Sequence, residues 1–432
     1  MPEPQTPLSE RPWEDVEQMV GVDDARERIL AAFCPLPAVS VSILDALDLT
    51  LAEDVVADRD IPPFRNSAMD GYAVRAADTR AAAADAPVSL RIVAHLAAGY
   101  PANVEVTAGT AARIMTGAPV PKGADAVVRF EETDEPTYGT RSDGDRRAAV
   151  RVTRPAKAWD NVREAGEDIR AGAPTLRAGA RVRPAEIGVL ASLNRATVPV
   201  HRRPVVAILS TGDEVIDLGP ELQPGQIRNS NSYLLAAMVR RLGAEPRMLG
   251  IARDAIDDLT DRLRFAQQAD FVVTSGGVSL GDYDMVKDVL RARGEIAIWQ
   301  VRMKPGKPLA FGWLSGVPLL GLPGNPVAAA VSFEQFGRPA ILKMMGYQNL
   351  DLPTIEATLT EPVDNRGHRR HYVRAWVERT AEGYSVRPAG DQGAGVLTSL
   401  ARANGLLVVP EAIESATPGM QLPVQMIDWR VD

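Results

Sequence analysis

The spacing of apolar positions changes character along the chain, and the clearest rhythm begins near Arg203. Residues 204–210 (PVVAILS), 246–252 (PRMLGIA), 271–275 (FVVTS), 295–301 (EIAIWQV) and 317–323 (VPLLGLP) are apolar runs of strand length. Without strict alternation, such runs predict strands covered on both faces. Between them, residues 229–243 place Leu234, Leu235, Met238, Val239 and Leu242 on one helical face. Asn and Ser supply a start signal and Gly243 a stop. Residues 254–269, 283–294 and 325–345 read as further helices. Strands alternating with helices of this length predict a parallel-rich sheet in a three-layer α/β domain.

The flanks read differently. Residues 1–19 are polar and proline-rich, so a flexible tail is expected; they lack the apolar stretch of a secretion signal. Residues 23–33 (DDARERILAAF) set Ile29, Leu30 and Phe33 on one face of a helix, and 183–194 form another with Pro184 in its first turn. From Leu49 to about 155, short β-rich runs sit between turns rich in Gly, Pro and Asp. The two helices then belong together, as a split linker domain of residues 20–48 and 156–200, with 49–155 an inserted β-rich domain. Residues 201–347 are the α/β domain. Residues 348–432 carry short alternating runs such as HYVRAWVERT and GYSVRPAG, the pattern of a small barrel or sandwich; a C-terminal β-barrel is the form adopted.

Composition narrows the class. A chain of 432 residues exceeds what one core usually supports. With 45% hydrophobic and 24% charged residues it resembles an ordinary soluble globular protein. The net charge of -8 argues against nucleic acid or an anionic membrane as partner, and no apolar run is long enough to span a bilayer. A local cluster of lysines and backbone amides remains compatible with an anionic substrate. Cys34 is the single cysteine, which excludes disulfides and multi-cysteine metal sites and fits a reducing, cytoplasmic setting. Following Phe33, it is expected to be a small core residue.

Candidate chemistry collects on loops that follow the α/β strands, where ligands of such sheets bind. These are STGDE (210–214), SGGVSLGDYD (275–284) and GLPGNP (321–326), with MKPGKP (303–308) joining strands nearby. Gly276 and Gly277 suit an anion nest, and Ser279 adds a hydroxyl. Gly324 and Asn325 precede a helix whose free N–H groups attract phosphate, with Pro323 and Pro326 stiffening the loop. Lys304 and Lys307 flank a Pro-Gly turn. Taken singly, each is an ordinary turn; together they favour a phosphate-bearing ligand. Asp213, Glu214, Asp254, Asp282 and Asp284 occupy the same edge and are the type of ligand Mg²⁺ takes. Asp254 and Asp284 also stand at helix starts, where capping competes for the same oxygens. No G-x-G-x-x-G follows the first strand and no G-x-x-x-x-G-K-[ST] is present, so dinucleotide and P-loop binding are not expected. His368 and His371, in RGHRRHYVR, read as part of a solvated basic patch at a loop-to-strand junction.

Six motifs in order resemble the molybdopterin molybdenumtransferase family, to which MoeA proteins and the gephyrin E domain belong. They are PPFRNSAMDGYAVRAAD (62–78), IMTGAPVPKGADAVVRFEET (114–133), NVREAGEDIRAG (161–172), TSGGVSLGDYD, MKPGKP and GLPGNPV. The resemblance covers nearly the whole chain from about residue 20. It implies a four-domain subunit, and a homodimer with its active site between the α/β domain of one subunit and the first two domains of the other. It also implies that adenylyl-molybdopterin and molybdate give molybdenum-molybdopterin and AMP, with Mg²⁺ assisting. By likeness, Asp168, Glu214, Asp254, Asp284 and Lys304 are catalytic. Thr116, Pro323 and Pro326 join the functional set by likeness, and with Ser210, Gly212, Gly276, Gly277, Ser279, Lys307, Gly324 and Asn325 from the strand-end loops they are the residues expected to bind substrate. Two positions depart from the pattern: many relatives carry Asp at Arg65, and some carry Lys at Gln300. The rival readings are a non-catalytic molybdopterin-binding scaffold on the same fold, and the upstream molybdopterin adenylyltransferase, itself a possible partner, which shares only the α/β core.

Overall fold

The computed structural model describes residues 19–135, 147–253, 262, 267–277 and 296–428, with only the backbone of 296–298. The helix expected over 283–294 falls outside the described residues, as does that over 254–269 apart from Arg262 and residues 267–269; Asp254, Ser279, Asp282 and Asp284 lie outside them too. The chain forms two compact units. The first holds residues up to Val41, Asp48–Ala52 and Pro199 onward; the second holds Ser42–Leu47 and Glu53–Val198. The helices Val22–Leu30 and Pro184–Ser192 fall in different units.

In the first unit, a six-stranded sheet runs in the order Glu245–Ala252, Val205–Thr211, Phe271–Ser275, Val317–Leu322, Pro308–Leu314, Ile296–Gln300. The first three pairings are parallel and the last two antiparallel. The central strands are buried almost throughout, as their continuous apolar sequence requires. Because the chain passes from 205–211 to one side and then returns to the other at 271–275, a crevice opens at the carboxyl ends of these two strands. The Pro308–Leu314 strand was hidden in the sequence behind the Pro-Gly turn.

The Ser230–Arg241 helix is capped by Asn229, whose Oδ1 accepts the Ser232 N–H at 3.2 Å. Residues 326–344 form one helical run with a wider π-type turn at Phe333–Gly337. Pro339 lacks the N–H that would bond Gln335, which accounts for the widening. The Val22–Leu30 helix lies in this unit, with Val22, Ala25 and Ile29 buried, and Phe33 stacks edge-on against Phe271 at 5.0 Å. Cys34, just beyond Phe33, is exposed rather than part of the core, because the helix has already ended at Leu30.

The C-terminal strands Arg370–Thr380, Gly383–Pro388, Thr354–Leu359, Gln421–Met426 and Gly405–Val409 pair in that order. The last pairs back on the first, from His371 with Val409 to Ala375 with Gly405, closing a five-stranded barrel. Its interior is filled by Val373, Ala375, Val377, Leu407 and Val424.

The second unit contains a five-stranded sheet in the order Ala126–Arg129, Gly71–Val74, Thr110–Ile114, Val88–Leu96, Ala149–Val152. Tyr72, Val74, Leu90, Val128 and Val150 form its core. No helix among the described residues is long and apolar enough to cross a membrane.

Candidate functional site

The strand-end loops meet at the crevice. Ser210 and Thr211 end the first strand, and both are buried. Ser210 Oγ contacts Asn229 Oδ1 at 2.9 Å and Ser232 Oγ at 2.7 Å, so this hydroxyl secures the start of the following helix. Gly212 has φ +129, and the Glu214 carboxylate curls over it: a Cβ on Gly212 would stand 2.5 Å from Glu214 Oε2. Asp213 and Glu214 are exposed.

Gly276 and Gly277 adopt φ +88 and +67, which glycine takes without strain. A Cβ on Gly276 would lie 2.9 Å from the Thr211 carbonyl, so the two loops approach too closely for a side chain. The Gly276 N–H is bonded to Leu322 O at 3.1 Å. Gly324 comes equally near: its Cβ would stand 3.7 Å from Gly276 Cα. The N–H groups of Gly277, Gly324 and Asn325 have no partner among the described residues. The following helix contributes less than its sequence suggests, because the Val327 N–H is already bonded to Ala394 O at 3.1 Å.

The lysine turn packs beside this helix. Gly306 has φ +107, and a Cβ there would collide with Ser332 Oγ at 2.4 Å. Met303–Lys304 forms a short strand parallel to the barrel's first strand, with Lys304 opposite His371. His371 is 2% exposed, which corrects the expectation of a solvated patch; only His368 is exposed. Neither His371 ring nitrogen has a partner among the described residues. Burial, then the cations Lys304, Arg374 and Arg369, push its pKa down to about 3 against a small opposing pull from Asp364.

Sequence reasoning missed Arg374. It is fully buried in the barrel's first strand. Its Nε donates to Ser399 Oγ at 3.1 Å, and one terminal nitrogen donates to Asp391 O at 3.2 Å and Gly393 O at 3.1 Å. The other terminal nitrogen, Nη1, has no partner among the described residues. Burial lowers this guanidinium to about 10. The loop it supports reaches the 326–332 helix through Ala394. An arginine within the apolar run HYVRAWV was the available signal.

In the second unit, Thr116 is exposed and donates its N–H and hydroxyl to Asp70 Oδ1 at 2.7 and 2.8 Å. Asp168 is exposed, and its N–H is held by Ile61 O at 3.1 Å. Arg65 bonds Glu164 at 2.7 Å and lies 4.5 Å from the Trp159 ring centre. Gln300, the other departure, is buried at the end of its strand in the first unit. Among the described residues no group of three or more acidic, histidine or cysteine side chains is set to hold a metal. Asp213 and Glu214 are the only proposed ligands that the described residues include.

Fold and loops define a multidomain α/β protein with glycine loops gathered at the carboxyl ends of its parallel strands and a closed C-terminal barrel. Matching patterns are described as the MoeA N-terminal region (domains I and II) over residues 20–194, a probable molybdopterin binding domain over 207–343, and the MoeA C-terminal region (domain IV) over 356–427. The chain belongs to the molybdopterin molybdenumtransferase family. It is 41% identical over 393 residues to molybdopterin molybdenumtransferase 2 of Mycobacterium tuberculosis, covering 89% of this chain and 94% of that protein. It is 34% identical over 396 residues to the Staphylococcus aureus enzyme of the same name, covering 90% and 91%. A solved molybdopterin biosynthesis MoeA protein from Pyrococcus horikoshii aligns with a TM-score of 0.78 at 31% identity, covering 94% of this chain and 99% of that one.

Proposed function

We propose that this protein is the transferase of molybdenum cofactor biosynthesis that converts adenylyl-molybdopterin and molybdate into molybdenum-molybdopterin and AMP. Family membership supports the transferase reading, and the observation that carries it into this structure is the strand edge. Three backbone amides, of Gly277, Gly324 and Asn325, have no partner among the described residues and lie at adjacent strand ends. Oriented amides of this kind stabilise phosphate oxygens without the burial cost of a side-chain cation. Lys304 and Lys307 supply the charge that offsets repulsion between molybdate and the phosphates.

The remaining roles follow the family likeness. Glu214 and Asp284 serve metal or water, Lys304 serves phosphate or molybdate, and Asp168 and Thr116 position substrate across a homodimer interface. Mg²⁺ is the proposed metal, with Asp213, Glu214, Asp254, Asp282 and Asp284 as candidate ligands; exposed carboxylate oxygens at Asp213 and Glu214 are the donor type it takes. When bound, it would neutralise charge on the phosphate oxygens. A cytoplasmic setting is part of the proposal. The scaffold alternative is not favoured, and the flanking domains argue against the upstream adenylyltransferase.

The test supplies adenylyl-molybdopterin, molybdate and Mg²⁺ to the full chain. AMP release with molybdenum transfer is the expected result. No AMP at low molybdate sinks the catalytic reading, ATP consumption on molybdopterin supports the adenylyltransferase, and an active monomer by light scattering overturns the shared-site dimer.

A further inference from the structure

Asn231 occupies the second position of the Ser230–Arg241 helix, where an asparagine is normally read as part of the cap. That task belongs to Asn229. Asn231 reaches away from its own helix instead. Its Nδ2 donates to Ser275 Oγ at 2.7 Å and to the Gly324 carbonyl at 2.7 Å. The carbonyl can only accept, which fixes the orientation of the amide. Ser275 Oγ is in turn 3.4 Å from the Pro323 carbonyl, to which its hydroxyl donates. Two successive carbonyls of the PGNP loop are therefore tied down by side chains from two other segments.

Peptide geometry gives this a consequence. In a planar trans peptide the C=O and the following N–H point in opposite directions. The Pro323 carbonyl shares its unit with the Gly324 N–H, and the Gly324 carbonyl with the Asn325 N–H. Holding both carbonyls against Asn231 and Ser275 turns both N–H groups to the opposite side. Gly324 and Asn325 are exposed, and neither N–H has a partner among the described residues. The same Ser275 ends the strand that leads directly into Gly276 and Gly277.

We propose that Asn231, with Ser275, is a positioning residue that aims the Gly324 and Asn325 N–H groups at a phosphate or other oxyanion of the ligand held against Gly276 and Gly277. The inference rests on the strand edge being the anion site. It assigns to two neutral side chains, half-buried Asn231 and buried Ser275, the task of setting the spacing between the site's two glycine loops, and no contact with the ligand is required of either.

The experiment titrates AMP into the ¹⁵N-labelled full chain and follows the Gly324 and Asn325 amide resonances together with affinity and melting temperature. In the wild type both amides should shift on binding. Asn231→Asp keeps the shape but replaces the donor with a carboxylate that repels the Gly324 carbonyl. It should weaken AMP by about tenfold or more and abolish the two amide responses, as expected when charge-assisted hydrogen bonds are misaimed. Ser275→Ala, which removes the longer contact, should weaken AMP by about threefold and provides the same readout if Asn231→Asp does not fold. A lower melting temperature with unchanged affinity per folded molecule and unchanged amide shifts overturns the positioning role. If Gly277→Ala and Lys304→Ala both leave AMP affinity unchanged, the anion site itself is misassigned. If those two weaken AMP while Asn231→Asp and Ser275→Ala do not, the site stands and this inference falls.

Discussion

Two regions of the first unit offer positive potential by opposite means. At the strand edge it comes from backbone: the Gly277, Gly324 and Asn325 N–H groups have no partner among the described residues, and Thr211, Asn231 and Ser275, which hold the two glycine loops, are neutral. Beside the barrel it comes from charge: Lys304 lies opposite His371 in the parallel ladder, and Arg374 is fully buried in the same strand. Backbone amides carry no net charge, so withdrawing them from water is cheap by comparison. Buried cations are not: burial is the leading cause that lowers the pKa of Arg374 to about 10 and that of His371 to about 3. The first region depends on conformation that only glycine supplies; the second depends on hydrogen bonds that keep a cation inside.

Gly276→Val tests the backbone half and should have the largest effect. A β-branched residue is a conformational outlier at φ +88, and its Cβ would stand 2.9 Å from the Thr211 carbonyl. Backbone strain of about 1–2 kcal/mol and overpacking of about 1–3 kcal/mol together give roughly 2–5 kcal/mol of lost stability. AMP affinity should fall below detection in calorimetry. A variant that binds AMP normally would break the comparison, because the edge would then tolerate side chains.

Arg374→Met tests the charged half. It removes the donor to the half-buried Gly393 carbonyl and to the carbonyl of exposed Asp391, where water can take its place; an acceptor left shut away from water costs about 1–3 kcal/mol. Removing the burial cost of the guanidinium offsets part of this, so a net loss of roughly 1–2 kcal/mol in urea unfolding is expected. The KM for molybdate should rise severalfold while AMP affinity changes little. A variant as stable as the wild type with unchanged molybdate KM would show that the buried cation is only packing.

His371 sharpens the cost of the charged half through pH. Folding favours its neutral form, so the unfolded chain binds the extra proton. The stability this residue contributes is fully present above its ordinary value near 6.5 and is lost as pH falls toward about 3. The loss can reach at most about 1.4 kcal/mol per pH unit in that window. Urea midpoints at about pH 7.5 and about pH 5 should therefore diverge in the wild type and converge in His371→Gln. Equal divergence in both proteins would place the acid sensitivity elsewhere.

The same contrast explains what the sequence made legible. The central strands were plain because burial on both faces demands continuous apolar residues, as in FVVTS and VPLLGLP. The glycine loops were plain because few residues can replace them. The alternating C-terminal runs led to a barrel, which the structure bears out, but the register that closes it, His371–Ala375 against Gly405–Val409, was not legible because it is set by tertiary pairing. Arg374 was hidden because a buried cation contradicts the pattern that marks a core strand, and the same pattern led to His371 being read as solvated. Asn231 was hidden for the reverse reason: its residue type fits a cap, and only the structure shows that Asn229 holds that place.

Arg65 supplies the control at the weak end of the scale. It is a cation with an ion partner, Glu164, and an aromatic face, Trp159, but its side chain is 53% exposed and that of Glu164 48%. Water screens both charges, so the ion pair is worth less than about 1 kcal/mol and the exposed cation–π contact about 0.5–1 kcal/mol. Arg65→Ala should therefore cost no more than about 2 kcal/mol, and the difference should shrink at high salt. Arg374→Met should keep most of its cost under the same conditions, because buried groups are screened far less. Parallel urea titrations of the two variants at low and high salt make the measurement. An Arg65→Ala cost above about 2 kcal/mol, or one insensitive to salt, would mean that an exposed guanidinium matters here as much as the buried one. Burial would then no longer be what separates the charged corner from the rest of the surface.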